Sequence, residues 1–182
     1  IMEANGGLYD PRDGRDSCGV GLVASIAGER SHRIVETGLR VLENMAHRGA
    51  ENGDGRSGDG AGILVQVPHR FIEGLGVPVP EAGRYGTGLV FLPKDPAAGD
   101  RFLELLRAVC RRYAVEVIAV REVPVDHSVP GPMALEGEPR IVQVFASSYD
   151  SPDTLEKKLY RIRKIVGNSV ATSDAEGKED FY

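Results

Sequence analysis

The chain has 182 residues, of which 41% are apolar and 27% are charged, and its formal net charge is −5 at pH 7. This length and composition fit one globular domain or part of a larger one. The negative charge, without any long block of basic residues, argues against a nucleic-acid partner. The chain has no run of 18 apolar residues, so no membrane span is predicted. Two cysteines are too few for a disulfide framework, so we expect a reducing, cytoplasmic setting.

Both ends of the chain lead us to expect a fragment of a longer protein. Ile1 precedes Met2, and the chain closes on the aromatic pair Phe181 and Tyr182, which is unusual for a solvated tail. No internal repeat and no long low-complexity linker separates two domains. We therefore count one domain, incomplete in this chain.

The first predicted element is a buried strand over residues 18–26, preceded by a turn-rich leader over residues 1–17. Its sequence joins a thiol to apolar and β-branched residues, and its two glycines leave room for another backbone or a ligand. Cys18 is either a small buried hydrophobe or a nucleophile, and without context the first role is the commoner. Ser31 then caps a predicted helix that continues to Ala46.

A glycine-rich loop over residues 47–62 leads into a second predicted strand over residues 63–67. Six of the sixteen loop residues are glycine, which lets several backbone N–H groups approach a ligand. A dinucleotide fingerprint needs its loop between a strand and a following helix, the reverse of this order, so no nucleotide site is expected. An EF-hand counted from Asp54 would have Arg56 at its third position and Asp59 at its sixth, which excludes that calcium loop.

The rest of the chain mixes helices with strands. The predicted order is a short helix (71–75), a strand (85–92), a helix (96–113), a strand (115–123), a proline-rich loop (124–132), a strand (141–146) and a final helix with a loose tail from residue 168. Asp95 and Ser151, each followed by proline, begin the two long helices. Cys110 lies on the apolar stripe of the first of these and is expected in the core. The mixture predicts an α+β fold.

Several segments, taken in order, resemble the start of the large subunit in the glutamate synthase family. They are residues 7–11, 16–21, 42–50, 58–63, 85–88, 90–96 and 159–164. The likeness covers nearly the whole chain. It implies a class II glutamine amidotransferase domain with the N-terminal-nucleophile hydrolase fold, an αββα sandwich, of which residues 18–182 are the N-terminal part.

The resemblance also implies a mechanism. The leader would be cut between Ser17 and Cys18, so that the thiol of Cys18 attacks L-glutamine and its freed α-amine acts as the base. An α-amine has a pKa of about 7.7–8.0 and is partly neutral near pH 7, whereas a peptide nitrogen is not basic. Ammonia would pass through an internal channel to a synthase domain of the same polypeptide and combine there with 2-oxoglutarate.

For the whole enzyme the resemblance implies FMN, an iron–sulfur cluster, NAD(P)H or ferredoxin as electron donor, and a small reductase subunit as partner. It implies no cofactor or metal site within this chain, in which two cysteines cannot ligate a cluster. The family's oxyanion-hole and glutamine-binding residues would follow Tyr182. A membrane or nucleic-acid partner is not expected.

Three residues are candidates for supporting the nucleophile: Arg48, Gly49 and Asp59. Arg48 either supports the nucleophile strand and its charge or joins the loop to the preceding helix. Asp59 either caps the glycine turn, which we favour, or takes part in catalysis. His47 is expected to be a hydrogen-bonded loop residue, since no partner stands at metal-ligand spacing.

Two other functions stay open at this point. One is a class II amidotransferase with a different acceptor, such as a phosphoribosyl- or hexosamine-forming enzyme, although the loop at 58–62 and the leader pair Asp10-Pro11 favour the first assignment. The other is a scaffold that keeps the fold without catalysis, an idea motivated by the 17 residues that precede Cys18.

Overall fold

A computed structural model of the chain describes residues 19–172, and the chain divides into two compact units between Val65 and Gln66. We refer to the described residues 19–65 as unit 1 and to residues 66–172 as unit 2. Within these ranges unit 1 holds one α-helix, and unit 2 holds four α-helices and a three-stranded sheet. No helix in the described part of the chain is both long enough and apolar enough to cross a lipid bilayer.

Unit 1 contains helix α1, His32–Asn44. Ser31 caps it as predicted, because its Oγ accepts a hydrogen bond from the backbone N–H of Arg33 at 3.2 Å, one of the donors that the first turn leaves unpaired. After Met45 the chain makes one turn of 3₁₀-helix, Ala46–Arg48. The helix predicted from Ser31 to Ala46 is thus confirmed, with its last turn tightened.

Two predicted strands, 18–26 in unit 1 and 63–67 across the boundary between the units, are wrong for the described residues. Neither 19–26 nor 63–67 belongs to a strand, and the one bridge in unit 1 joins Glu51 to Gly58. None of the apolar side chains described in these segments is buried, and Leu22 is 91% and Leu64 100% exposed. An apolar, β-branched composition favours extended chain, but a strand also needs a neighbour that supplies ladder hydrogen bonds. Residue 18 itself lies outside the described range.

Unit 2 is built on an antiparallel sheet whose three strands were all predicted. They are β1 (Tyr85–Leu92), β2 (Glu116–Glu122) and β3 (Arg140–Ser147), and β3 lies in the centre. Val90 pairs with Val142 on one side of β3, and Val120 pairs with Val144 on the other. The order β1-β3-β2 means that β1 and β2 are joined only through a strand that comes later in the chain.

Helices α3 (Pro96–Arg112) and α5 (Pro152–Ala171) pack with one face of this sheet and form the main core of the described chain. The buried side chains of this core include Leu92, Phe102, Val142, Ile162 and Val166. Both helices begin as predicted. The Asp95 carboxylate accepts from the N–H of Ala98 at 2.7 Å, and the Ser151 hydroxyl accepts from the N–H of Thr154 at 3.4 Å.

The opposite face of the sheet carries a smaller apolar cluster. Phe145 points there because side chains alternate between faces, and Val144 and Ala146 belong to the main core. Phe145 packs with Tyr85 and with Ile72 of helix α2, His69–Gly74. The predicted short helix is therefore confirmed, with its start two residues earlier than the predicted range 71–75.

Two local predictions in unit 2 need correction. Helix α4, Pro132–Glu136, lies at the end of the predicted loop, and the ammonium of Lys94 donates to the carbonyl oxygens of Leu135 and Glu136 at its last turn. The start of the tail predicted from residue 168 is still helical, because α5 continues to Ala171, and residues 173–182 lie outside the described range. Val170 is only 3% exposed and extends the buried stripe by one more turn.

Candidate active site

The predicted nucleophile, Cys18, lies outside the described residues, and Gly19 is the first described residue after it. A Cβ atom placed on Gly19 would lie 2.9 Å from Sδ of Met45, 3.5 Å from Cδ of Arg48 and 3.6 Å from its Nε. A Cβ on Gly21 would overlap Cγ1 of Val41. The chain beside Cys18 thus lies against the C-terminal half of α1 and the turn that follows.

Arg48, a candidate supporting residue, is therefore the charged side chain that these contacts bring beside Gly19. Its position is set by the 3₁₀ turn, in which its N–H donates to the carbonyl oxygen of Met45 at 2.8 Å. Gly49 closes the turn by donating its N–H to the carbonyl oxygen of Ala46 at 3.1 Å. His47 hydrogen-bonds through Nδ1 to the carbonyl oxygen of Asn44 at 3.0 Å, so its ring pairs with the last carbonyl group of α1.

Asp59, the third candidate, joins the two ends of the glycine loop. Its carboxylate accepts from the N–H of Ala50 at 2.9 Å, and its own N–H donates to the carbonyl oxygen of Ala50 at 3.1 Å. A Cβ on the neighbouring Gly58 would overlap that same carbonyl oxygen, so the close approach requires glycine. The side chain of Asp59 therefore closes the loop.

Asp54 organises the tip of the loop, a role that sequence analysis missed. Its carboxylate accepts from the N–H groups of Arg56 and Ser57, at 3.0 and 2.7 Å, and from the hydroxyl of Ser57 at 2.5 Å. Ser57 is 3% exposed. The signal was present in the sequence, because an Asp followed two and three residues later by loop N–H groups is typical of an Asx turn.

The backbone N–H groups of this loop are largely used within the loop itself. The N–H of Asn52 donates to the carbonyl oxygen of Ser57 at 2.7 Å and that of Gly55 to the carbonyl oxygen of Asn52 at 3.0 Å. To these are added the three bonds that the carboxylates of Asp54 and Asp59 accept from backbone N–H groups, and the one that the N–H of Asp59 donates to Ala50. The expectation that glycine here presents several N–H groups to a ligand is therefore not met at these positions. The loop is a hydrogen-bonded turn that fixes the chain after Arg48.

The second cysteine has the environment of a core residue, as predicted. Cys110 is 2% exposed and lies on α3 within the main cluster of unit 2. Burial raises the pKa of its thiol, although the nearby Arg111 acts in the opposite direction, so the unreactive protonated form is favoured. Among residues 19–172 no three His, Cys, Asp or Glu side chains are placed to hold a metal ion.

Comparison with known proteins shows the family directly. The chain matches the class-II glutamine amidotransferases over residues 18–182, and it belongs to that family. Among individual proteins, it is 36% identical over 174 residues to ferredoxin-dependent glutamate synthase 2 of Synechocystis, covering 92% of this chain and 11% of that protein. It is 39% identical over 181 residues to the large chain of the NADPH glutamate synthase of Bacillus subtilis, covering 97% of this chain and 12% of that protein.

A third relative is the NADH glutamate synthase of Schizosaccharomyces pombe, 36% identical over 187 residues, covering 96% of this chain and 9% of that protein. The chain thus spans about a tenth of the length of these curated relatives. The resemblance to the glutamate synthase family is confirmed by these matches. The family, together with the mixed helix-and-sheet structure, defines the class of domain to which the chain belongs.

Proposed function

We propose that this chain is the start of the glutaminase domain of a glutamate synthase large subunit, with Cys18 as its nucleophile. The observation that carries the proposal is where the family match begins: it starts at Cys18, the thiol that the ordered motifs of the resemblance give as the candidate nucleophile. The proposed fold is the αββα sandwich of N-terminal-nucleophile hydrolases, and residues 1–17 are a leader removed before Cys18.

In the proposed reaction the thiol proton of Cys18 passes to its own α-amine, and Sγ attacks the side-chain carboxamide carbon of L-glutamine. The C–N bond of the resulting tetrahedral adduct then breaks, and the leaving nitrogen takes the proton back and departs as ammonia. Water attacks the remaining γ-glutamyl thioester, which releases glutamate and restores the thiol. Each step needs a free α-amine, because a peptide nitrogen cannot accept the proton.

Arg48 is the proposed supporting charge beside the nucleophile. Its guanidinium carries a positive charge, and its Nε lies close to the position that a Cβ of Gly19 would take. A fixed positive charge near Cys18 would favour the thiolate. Gly49 and Asp59 would act indirectly, by holding the turn and the loop on either side of Ala50.

In the whole polypeptide we propose that ammonia reaches a synthase domain and combines with 2-oxoglutarate. Similarity to glutamate synthases named for ferredoxin, NADH and NADPH supports such a domain but leaves all three donors open. FMN and an iron–sulfur cluster would be held by other parts of that polypeptide, as would the contact with a small reductase subunit. A cytoplasmic location is proposed because a catalytic thiol requires reducing conditions.

The test is intact mass and N-terminal sequencing of the whole polypeptide, followed by labelling with a diazo-ketone analogue of glutamine. We expect the chain to begin at Cys18 and to take up one label there, while Cys110 in the same chain stays unlabelled. Cys18→Ala should remove the label and lower glutaminase activity by roughly 10³-fold or more. A chain that keeps Ser17 and leaves Cys18 unlabelled while ammonia is still used would contradict the proposal and favour a scaffold.

A further inference from the structure

In the segment after Cys18, only the side of the chain that carries the glycines faces α1 and the residue that follows it. The missing Cβ positions of Gly19 and Gly21 are directed at Met45 and Val41. The side chain of Val20, which lies between them, is 90% exposed. Alternate residues therefore face the helix, which is the period of an extended chain.

The spacing between Val41 and Met45 matches the spacing between Gly21 and Gly19. Val41 lies on α1 and Met45 is the residue directly after its last one; being four residues apart, they lie on the same side, about 6 Å apart along the helix axis. Gly19 and Gly21 are two residues apart, which in an extended chain is about 6.6 Å. Each glycine thus meets one side chain. A shift of one residue along the helix would place the branched side chain of Val20 where a glycine now fits.

We propose that Val41 and Met45 are positioning residues that set the place of Cys18 through Gly21 and Gly19. The inference rests on the proposed function, since it assigns these side chains a role for the nucleophile. Cys18 is joined directly to Gly19, so a displacement of Gly19 along or away from α1 displaces the reacting sulfur. It also moves the segment away from Arg48, whose Cδ and Nε lie beside the same Cβ position.

The expected effect is on the rate of reaction more than on the binding of substrate. A displacement of about 1 Å from a productive geometry can lower a rate by about 10²-fold, even when the changed residue does not touch the substrate. Glutamine itself would still bind through other groups. A positioning role therefore predicts a lower kcat with a nearly unchanged KM, which a general loss of folded protein would not produce once the active fraction is titrated.

The main experiment is a double-mutant cycle in the whole polypeptide, with Gly21→Ala, Val41→Ala and the double variant. Gly21→Ala should lower kcat for glutamine hydrolysis by about 10- to 100-fold, because the new methyl group overlaps Cγ1 of Val41. In the double variant that atom is gone and the nearest remaining atom, Cβ of Val41, lies 3.7 Å from the new Cβ, an ordinary contact. We expect kcat to return to within about threefold of Val41→Ala.

A matched control is available on the same helix. Gly38 lies on α1, and a Cβ there meets no atom within 4 Å. Gly38→Ala is the same chemical change and should leave kcat unchanged. Equal effects of Gly21→Ala and Gly38→Ala, or a double variant no faster than Gly21→Ala, would overturn the inference.

A second pair of variants covers the case in which Gly21→Ala fails to fold. Met45→Ala removes the thioether beside Gly19 and should lower kcat, whereas Met45→Leu keeps the volume and should restore it. The rate of Cys18 labelling by the diazo-ketone should fall and recover in parallel. If Met45→Ala, Met45→Leu and the parent label at the same rate, Met45 does not position the nucleophile.

The outcomes separate this inference from the proposed function. A parent protein with neither glutaminase activity nor a label on Cys18 contradicts the proposed function, and this inference falls with it. A parent that is active and labelled, but whose variants show no coupling between Gly21 and Val41 and whose Met45 variants label at the parental rate, contradicts this inference alone.

Discussion

The two units hold their residues in place by different means. Every apolar side chain that is buried in the described part of the chain lies between Ile72 and Val170, in unit 2. In unit 1 the buried residue is Ser57, and α1 has no buried residue at all. Hydrophobic burial stabilises unit 2, whereas unit 1 relies on caps, turn hydrogen bonds and glycine contacts.

This difference bears on how a reactive residue is placed. The candidate site lies in the unit with the weaker core, where Asp54 and Asp59 close a loop through carboxylate hydrogen bonds to backbone donors. Such hydrogen bonds are directional and fix geometry, while each contributes only about 0.5–1.5 kcal/mol of net stability. Unit 1 therefore has defined local geometry at the candidate site without a large reserve of stability.

The largest expected effect contrasts a core side chain with an exposed one. Phe145→Ala in unit 2 should lower the free energy of unfolding by about 3–5 kcal/mol, since Phe145 is fully buried on the sheet. Leu64→Ala in unit 1 should change it by no more than about 0.5 kcal/mol, because that side chain is wholly exposed. Urea unfolding followed by circular dichroism measures both. Similar losses in the two variants would show that residues 63–67 are covered.

A smaller effect tests the packing of unit 2 at a single glycine. A Cβ on Gly86 of β1 would overlap Cδ1 of Leu159 on α5, so Gly86→Ala should destabilise the protein by about 1–3 kcal/mol. The matched control is Gly88→Ala in the same strand, where a Cβ meets nothing within 4 Å. It should be neutral or slightly stabilising. Equal melting temperatures for the two variants would mean that Leu159 on α5 moves aside at little cost in stability.

The smallest effect is a dependence on alkaline pH. Burial, with a further contribution from Glu73, raises the pKa of Tyr85 above its ordinary value of about 10. The folded state thus holds the phenol proton more tightly than the unfolded state. The resulting stability is present below pH 10 and is lost as the pH rises through the folded-state pKa.

Tyr85→Phe should remove this alkaline loss. At neutral pH the same variant should cost about 0.5–1.5 kcal/mol, because it deletes the hydrogen bond between the Tyr85 hydroxyl and Nδ1 of His69, 3.1 Å apart. Tyr160, which is 60% exposed, provides the control. Unfolding measured from pH 8 to 11 should give Tyr160→Phe the same alkaline profile as the parent. If Tyr85→Phe also loses stability at alkaline pH as the parent does, that loss belongs to groups other than Tyr85.

Much of the local structure of this chain could be predicted from the sequence. Ser31, Asp95 and Ser151 begin helices through hydrogen bonds to residues two or three positions away, so the signal is complete within a few residues. The three strands of unit 2 were found because their apolar, β-branched runs are bounded by turn residues. The ordered motifs likewise indicated the family that comparison confirmed.

The same kind of signal was misleading in unit 1 and at its boundary with unit 2. Residues 19–26 and 63–67 carry strand composition, yet in the structure neither has a ladder partner. The glycines of the loop suggested N–H groups turned toward a ligand, whereas the structure pairs the N–H groups of Ala50 and Ser57 with Asp59 and Asp54, and that of Gly55 with the carbonyl oxygen of Asn52. Composition shows which conformations a segment favours, but the residues that pair with it in the folded chain decide which one forms.

The sequence alone determined where helices begin and which segments favour extended chain, because these depend on neighbours in the chain, and its ordered family motifs indicated the candidate nucleophile. Only the tertiary structure decided that β3 lies between β1 and β2, and that Gly19 and Gly21 meet Met45 and Val41. Those contacts join residues about 20 or more positions apart along the printed sequence. A pattern within one segment contains no record of the distant residue that will pack against it, so pairing and positioning emerge only when the chain folds.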